Sequence, residues 1–195
     1  MGILASILDT DLYKLTMGQA VHEAAPESVA RYVFINRDPS RRFDAVFGTR
    51  LRAEVDAMAA LRLGNDEAAF LARVCPFLKR GYLEWLRGFR FRPGQVRIAV
   101  ADGRLDLSVE GPWRETIYWE VPLLALVSEL RLAGEAPAPD LAGVAAKARA
   151  KAVRLHDAGC HFADFGTRRR LSRAVQGTVV GGLRGSGFPT GGPAL

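Results

Sequence analysis

Cysteine is scarce in this chain: Cys75 and Cys160 are the only two. One possible bridge is a poor framework for 195 residues, and the pair offers no metal-ligand spacing, so both read as reduced thiols in a cytoplasmic protein. Histidine is equally thin. His22, His156 and His161 fall in no Ser/His/Asp or metal-binding pattern and read as structural or surface residues. Long apolar runs are missing too. The run Val121 to Val127 contains Pro122 and falls far short of the ~20 residues a membrane span needs. Residues 1–8 are too short, and lack the positive start, for a secretion signal. No internal repeat is evident. These absences predict a soluble protein with no metal site and no membrane partner.

What is present can build a core. Apolar residues make up 49% of the chain, enough for one sizeable domain or two small ones. Basic residues outnumber acidic ones, 27 to 21, and this excess suits nucleic acid, an acidic membrane surface or a polyphosphate substrate. The arginines are scattered, with runs only at Arg41-Arg42 and Arg168 to Arg170. A nucleic-acid stripe would be more concentrated, so no nucleic-acid partner is expected.

Residues 11–24 read as an amphipathic helix with Tyr13, Met17, Ala20, Val21 and Ala24 on one face and Asp11 able to cap it. Arg31 to Asn36 has strand composition, and helices are predicted over 50–61, 66–73 and 76–87. Two alternating stretches, 96–100 and 105–109, flank the hairpin signal Asp102-Gly103. A helix is expected beyond Pro122 to Leu132, then a loop over 134–140. A further helix runs from Asp140 to about Ala158, with Gly159 as its stop. His161 to Phe165 is predicted as a short strand, and Arg169 to Leu183 as the helix after it. Helix, buried strand and helix in that order suggest parallel α/β architecture. The reading is an α+β N-terminal domain over 1–115, the first part of an incomplete α/β barrel over 116–184, and a Gly/Pro-rich tail over 185–195. Complete barrels take roughly 250 residues, so this one is not expected to close.

The stretch with most chemistry is 161–173, HFADFGTRRRLSR. An aromatic, a glycine, a hydroxyl and fixed cations meet at one junction, which could hold an anionic ligand beside a flat ring. The plainer reading is a basic helix start with Phe165 packed in the core. Gly181 to Gly187 lacks the Lys-Ser/Thr ending of a phosphate-cradling loop and reads as flexible tail.

Asp164-Phe165-Gly166-Thr167-Arg168-Arg169-Arg170 with Ser172 resembles the signature of nicotinate phosphoribosyltransferases. Thr10 to Met17 is similar to that family's N-terminal segment, and Glu110 to Trp113 through Ile117–Leu124 to Ser128–Leu130 resembles its central one. The resemblance implies an enzyme joining nicotinate to phosphoribosyl pyrophosphate, coupled to ATP hydrolysis with Mg2+, in NAD biosynthesis. It implies a ring sandwich between Phe165 and Tyr13, the Tyr arriving from the neighbouring subunit of a homodimer. Arg168 would contact phosphoribosyl pyrophosphate, and Asp11, Gly166 and Thr167 would shape the pocket. On the residues alone, Tyr13 and Asp11 read equally as a packed aromatic and a helix cap, and Arg169 and Arg170 as solvated.

The family's phosphohistidine motif, resembling Thr-Pro-x-Gly-Thr-x-Ala-His-Glu, has no counterpart here, so no catalytic residue, ATP site or Mg2+ ligand is assignable. The last 15 residues hold six glycines and two prolines, too many for the apolar strand the family places next. The expectation is a truncated form, inactive alone. The alternative is a non-catalytic nicotinate-binding or regulatory partner of a full-length copy.

Overall fold

The computed structural model describes residues 2–38, 40–133 and 139–184. Residues 134–138 of the expected loop and the expected tail 185–195 lie outside them. Helix α1 (Leu12–Ala24) leads into strand β1 (Val29–Val33). Helices α2 (Ala45–Ala57), α3 (Asn65–Val74) and α4 (Arg80–Gly88) follow. The hairpin of β2 (Val96–Ala101) and β3 (Arg104–Pro112) comes next, then the single turn α5 (Trp113–Thr116) and helices α6 (Glu120–Leu132), α7 (Leu141–Asp157) and α8 (Arg173–Arg184).

The sheet has the order β1-β3-β2, and both pairings are antiparallel. The hairpin loop is the two residues the sequence marks. Asp102 and Gly103 take φ of 52° and 74°, both in the left-handed region that a tight hairpin turn demands. Leu105, Leu107 and Val109 of the central strand point into the core. The same core takes in Ile117, Tyr118 and Trp119, each at most 2% exposed, and Leu123, Leu126 and Leu130 of α6. Pro122 lies in the first turn of α6, where its missing N–H costs no helical bond.

Helix α1 buries a different face from the expected one. Leu15, Gly18 and Val21 point inward, while Met17, Ala20 and Ala24 are exposed. Gly18 decides this. A Cβ placed there would lie 1.9 Å from the Tyr118 hydroxyl and 2.9 Å from that of Tyr82. Those hydroxyls bond each other at 2.6 Å in the interior, so α1 seats its glycine directly on a buried polar pair. Composition-based periodicity counts a glycine as neither face, which is why it misplaces the stripe.

The predicted strand 161–165 does not form. All described strands belong to the antiparallel sheet, and among the described residues no extended neighbour pairs with 161–165. An unpaired strand leaves its N–H and C=O groups without a ladder. No parallel pair occurs among the described residues. Helix α7 behaves as its caps require: the Asp140 carboxylate accepts from Ala142 N at 3.1 Å, and Gly159 takes φ +69° after the last turn. Helices α7 and α8 pack through a small separate cluster of Ala148, Ala152 and Leu183. Gly182 permits the approach, since a Cβ there would meet Ala145 O at 2.9 Å. Residues 181–184 are thus helical, not flexible tail.

Candidate functional site

Three pieces of chain distant in sequence converge: the start of α1, the start of α6, and the loop 162–172. The loop owes its shape to short local bonds. Asp164 accepts from Gly166 N at 3.3 Å and from the Gln176 side chain of α8 at 2.6 Å. Thr167–Arg169 then forms a 3₁₀ turn, with Arg169 N donating to Gly166 O at 3.0 Å. Ser172 caps α8 by accepting from Val175 N at 3.2 Å. The helix therefore opens at Arg173 rather than Arg169. The hydroxyl caps better than an arginine can, so the arginine triplet is left in the turn ahead of it.

Tyr13 and Phe165 meet with ring centroids 6.1 Å apart and planes tilted by 57°. Both rings of this pair belong to one chain. Phe165 is 49% exposed, so it is not the packed core residue of the plainer reading. A flat ring stacked between two others needs about 7 Å between parallel planes, twice the ~3.5 Å carbon contact. The pair is closed and tilted, and must part and align to admit one.

Around the rings lies a dense set of charges. Asp11 occupies the cap position of α1 but makes no cap bond. Its side chain is 2% exposed, and its Oδ2 has no hydrogen-bond partner. Burial raises its pKa above the usual carboxylate value, against the lowering effects of the Thr167 hydroxyl and Arg168. Lys14, also 2% exposed, pairs with Glu120 at the start of α6. Its ammonium stands 5.1 Å from the centre of the Tyr13 ring and 5.6 Å from that of Tyr32. Arg168 lies 3.7 Å from Glu120 and stays 41% exposed. Of the residues expected here, Asp11, Tyr13, Phe165, Gly166, Thr167 and Arg168 are all brought together.

Arg169 is exposed, as expected, but Arg170 is 4% exposed. Its guanidinium bridges Asp9, at 2.7 Å, and Glu129 of α6. Solvation is the wrong description of a cation with two buried acids to meet.

The family model described as nicotinate phosphoribosyltransferase (NAPRTase) N-terminal domain matches residues 8–128. The chain belongs to that family. A nicotinate phosphoribosyltransferase of Chromohalobacter salexigens is 44% identical over 190 residues, 96% of this chain and 48% of its own length. The Escherichia coli protein of that name is 42% identical over 91% of this chain and 46% of its own. A crystal structure of nicotinate phosphoribosyltransferase from Porphyromonas gingivalis superimposes with a TM-score of 0.88 at 37% identity, over 94% of this chain and 47% of that one. The Vibrio cholerae structure gives 0.77 at 30% identity, over 93% of this chain and 45% of that one. The chain thus spans about half the length of the nicotinate phosphoribosyltransferases it matches.

Sequence reasoning missed Lys14 and Glu120, although both lie in stretches that resemble the family. The available signal was a lysine on the face of a helix one residue from a site tyrosine. Gln176, which steadies Asp164, carried no signal. No described helix is long and apolar enough to cross a membrane.

Proposed function

We propose that this chain carries the nicotinate-binding side of a nicotinate phosphoribosyltransferase site. The observation that supports this most is the Tyr13–Phe165 pair, with a buried, unpartnered Asp11 oxygen and a half-exposed Arg168 beside it. On this reading the two rings open to stack the pyridine ring, and the Arg168 fork receives an anion, a phosphate of phosphoribosyl pyrophosphate. In the reaction the pyridine nitrogen lone pair forms the bond to the ribose C1 as the C1–oxygen bond to pyrophosphate breaks. Pyrophosphate leaves with that electron pair. These residues bind and orient the reactants, and none transfers a proton.

The described residues do not fit magnesium. No group of three acidic, histidine or cysteine side chains converges there. Asp164 and Glu120 are already engaged by Gln176 and Lys14. Coverage of about half of each relative favours a chain that binds nicotinate without turnover on its own. The remaining barrel elements would come from sequence matching the relatives' other half, whether as this chain's continuation or as a full-length partner. Residues 116–184 would then open that barrel.

Isothermal titration of the chain with nicotinate, with F165A and Y13A alongside, tests the reading. Saturable binding by the parent and at least tenfold weaker binding by both variants is expected. Equal affinity in all three would refute it. Product formation from nicotinate and phosphoribosyl pyrophosphate by this chain alone would refute the absence of turnover.

A further inference from the structure

The loop with Phe165 and the helix with Tyr13 share no secondary structure, yet their rings must stay in register for stacking. Besides the Thr167 hydroxyl beside Asp11, one buried side chain ties them together through α6. Arg170 ends the 3₁₀ turn that holds Arg168, with its N–H on Thr167 O at 3.4 Å. Its carbonyl accepts from the Ser128 hydroxyl at 2.9 Å, which fixes the backbone to α6. Its guanidinium donates to Glu129 of α6 and, at 2.7 Å, to Asp9, two residues before Asp11. Asp9 is itself pinned, accepting from Ala5 N at 3.0 Å.

We propose that Arg170 is a positioning residue for the nicotinate site: its bridge from Asp9 to Glu129 sets the spacing of the Phe165 loop against the start of α1. The inference rests on the nicotinate-binding reading above. Stability alone is a poor reason for the arrangement. Buried ion pairs and triads often give way to apolar residues at no cost in stability, and here Nη2 of Arg170 is buried with no partner. What a rigid two-armed cation supplies that an apolar contact does not is a fixed distance between two acids on separate elements. Arg170 touches neither ring, so it acts only through the loop it anchors.

The test separates placement from folding. E129Q/R170M removes the cation together with one acid, while Asp9 keeps the Ala5 N–H and Arg173 at 3.7 Å. Expected is a melting temperature near the parent's with nicotinate affinity lowered on the order of ten- to a hundredfold, the scale of a lost stacking contact. R170K, which can reach one acid at a time, should fold and bind a few-fold more weakly than the parent. In an F165L background the R170K change should cost less than twofold, because the ring it positions is gone. Parent-like affinity in a folded E129Q/R170M chain would overturn the proposal. If that variant does not fold, parent-like affinity in R170K would do so instead. A parent chain that does not bind nicotinate at all would refute the functional reading rather than this inference.

Discussion

Replacing Gly18 by alanine should cost this protein far more than a methyl group ordinarily does. The added Cβ would sit 1.9 Å from the Tyr118 hydroxyl oxygen and 2.7 Å from its Cζ, with the Tyr82 hydroxyl at 2.9 Å. Real carbons do not approach so closely, so α1 must lift or Tyr118 must turn. Overpacking of this kind costs about 1–3 kcal/mol. Turning Tyr118 also breaks its 2.6 Å bond to Tyr82 and leaves a buried hydroxyl unpaired, a further ~1–3 kcal/mol. Alanine's better helix propensity returns about 1 kcal/mol. A net loss of about 3 kcal/mol follows, and at ~2–4 °C per kcal/mol the melting temperature should fall by roughly 6–12 °C. The discriminating assay is a double-mutant cycle with Y118F, read by urea unfolding. Phenylalanine removes the oxygen nearest the new methyl, so G18A should cost at least 1 kcal/mol less in the Y118F background, roughly the scale at which contacting residues couple. A G18A chain that melts within a degree of the parent, or a cycle additive within about 0.5 kcal/mol, would refute the packing argument.

Three further outcomes are expected. F165A should leave the unfolding free energy within about 0.5 kcal/mol, since half the ring is already in water. In the titration it should lower nicotinate affinity by the ~1–3 kcal/mol of a stacking contact, roughly ten- to a hundredfold. D11N should change the pH dependence of stability in a definite direction. Burial raises the folded pKa of Asp11 above its unfolded value of 3.8, so ionisation is penalised in the native state. That penalty is absent below the unfolded pKa, grows as pH rises toward the folded one, and is constant above it. The stability of D11N relative to the parent should therefore increase over that window and then level off; melting curves from pH 3 to 7 that stay parallel would rule it out. K14M should weaken the binding of pyrophosphate, measured by isothermal titration, while K14R should restore part of it; unchanged affinity in K14M would show that Lys14 has no bearing on Arg168.

Local chemistry was legible wherever one residue decides a conformation. Asp102-Gly103 fixes the hairpin because both positions need positive φ, and Asp140 and Gly159 bound α7 because one caps and the other turns. The clustering of Asp11, Tyr13, Phe165 and Arg168 was legible through family resemblance, not through periodicity. What stayed hidden depends on partners far along the chain. Residues 161–165 look like a strand by composition, but a strand exists only where another lies beside it. Arg170 looks like one of three solvated arginines, and only the fold brings Asp9 and Glu129 to it. The inward face of α1 was misread because a glycine signals nothing until the tyrosine pair it seats on is known.

The placement of Lys14 follows the same logic and, on the proposed nicotinate-binding reading, bears on how Arg168 would receive an anion. Glu120 stands within reach of two cations, with Lys14 in direct contact and Arg168 at 3.7 Å. A carboxylate beside two cations engages the nearer one more strongly, because the interaction falls with distance and is screened more at an exposed site. Lys14 is almost wholly buried and Arg168 is 41% exposed, so both effects favour the lysine pair. Burying an ammonium is costly unless it is matched, and Glu120 together with the faces of Tyr13 and Tyr32 supplies the match. Were Lys14 neutral, Glu120 would have only Arg168 to turn to, and the guanidinium would be clamped where an incoming anion needs it free. On the proposed nicotinate-binding reading, the buried lysine beside Tyr13 is then the counter-ion of Glu120 that leaves the exposed arginine to an anion.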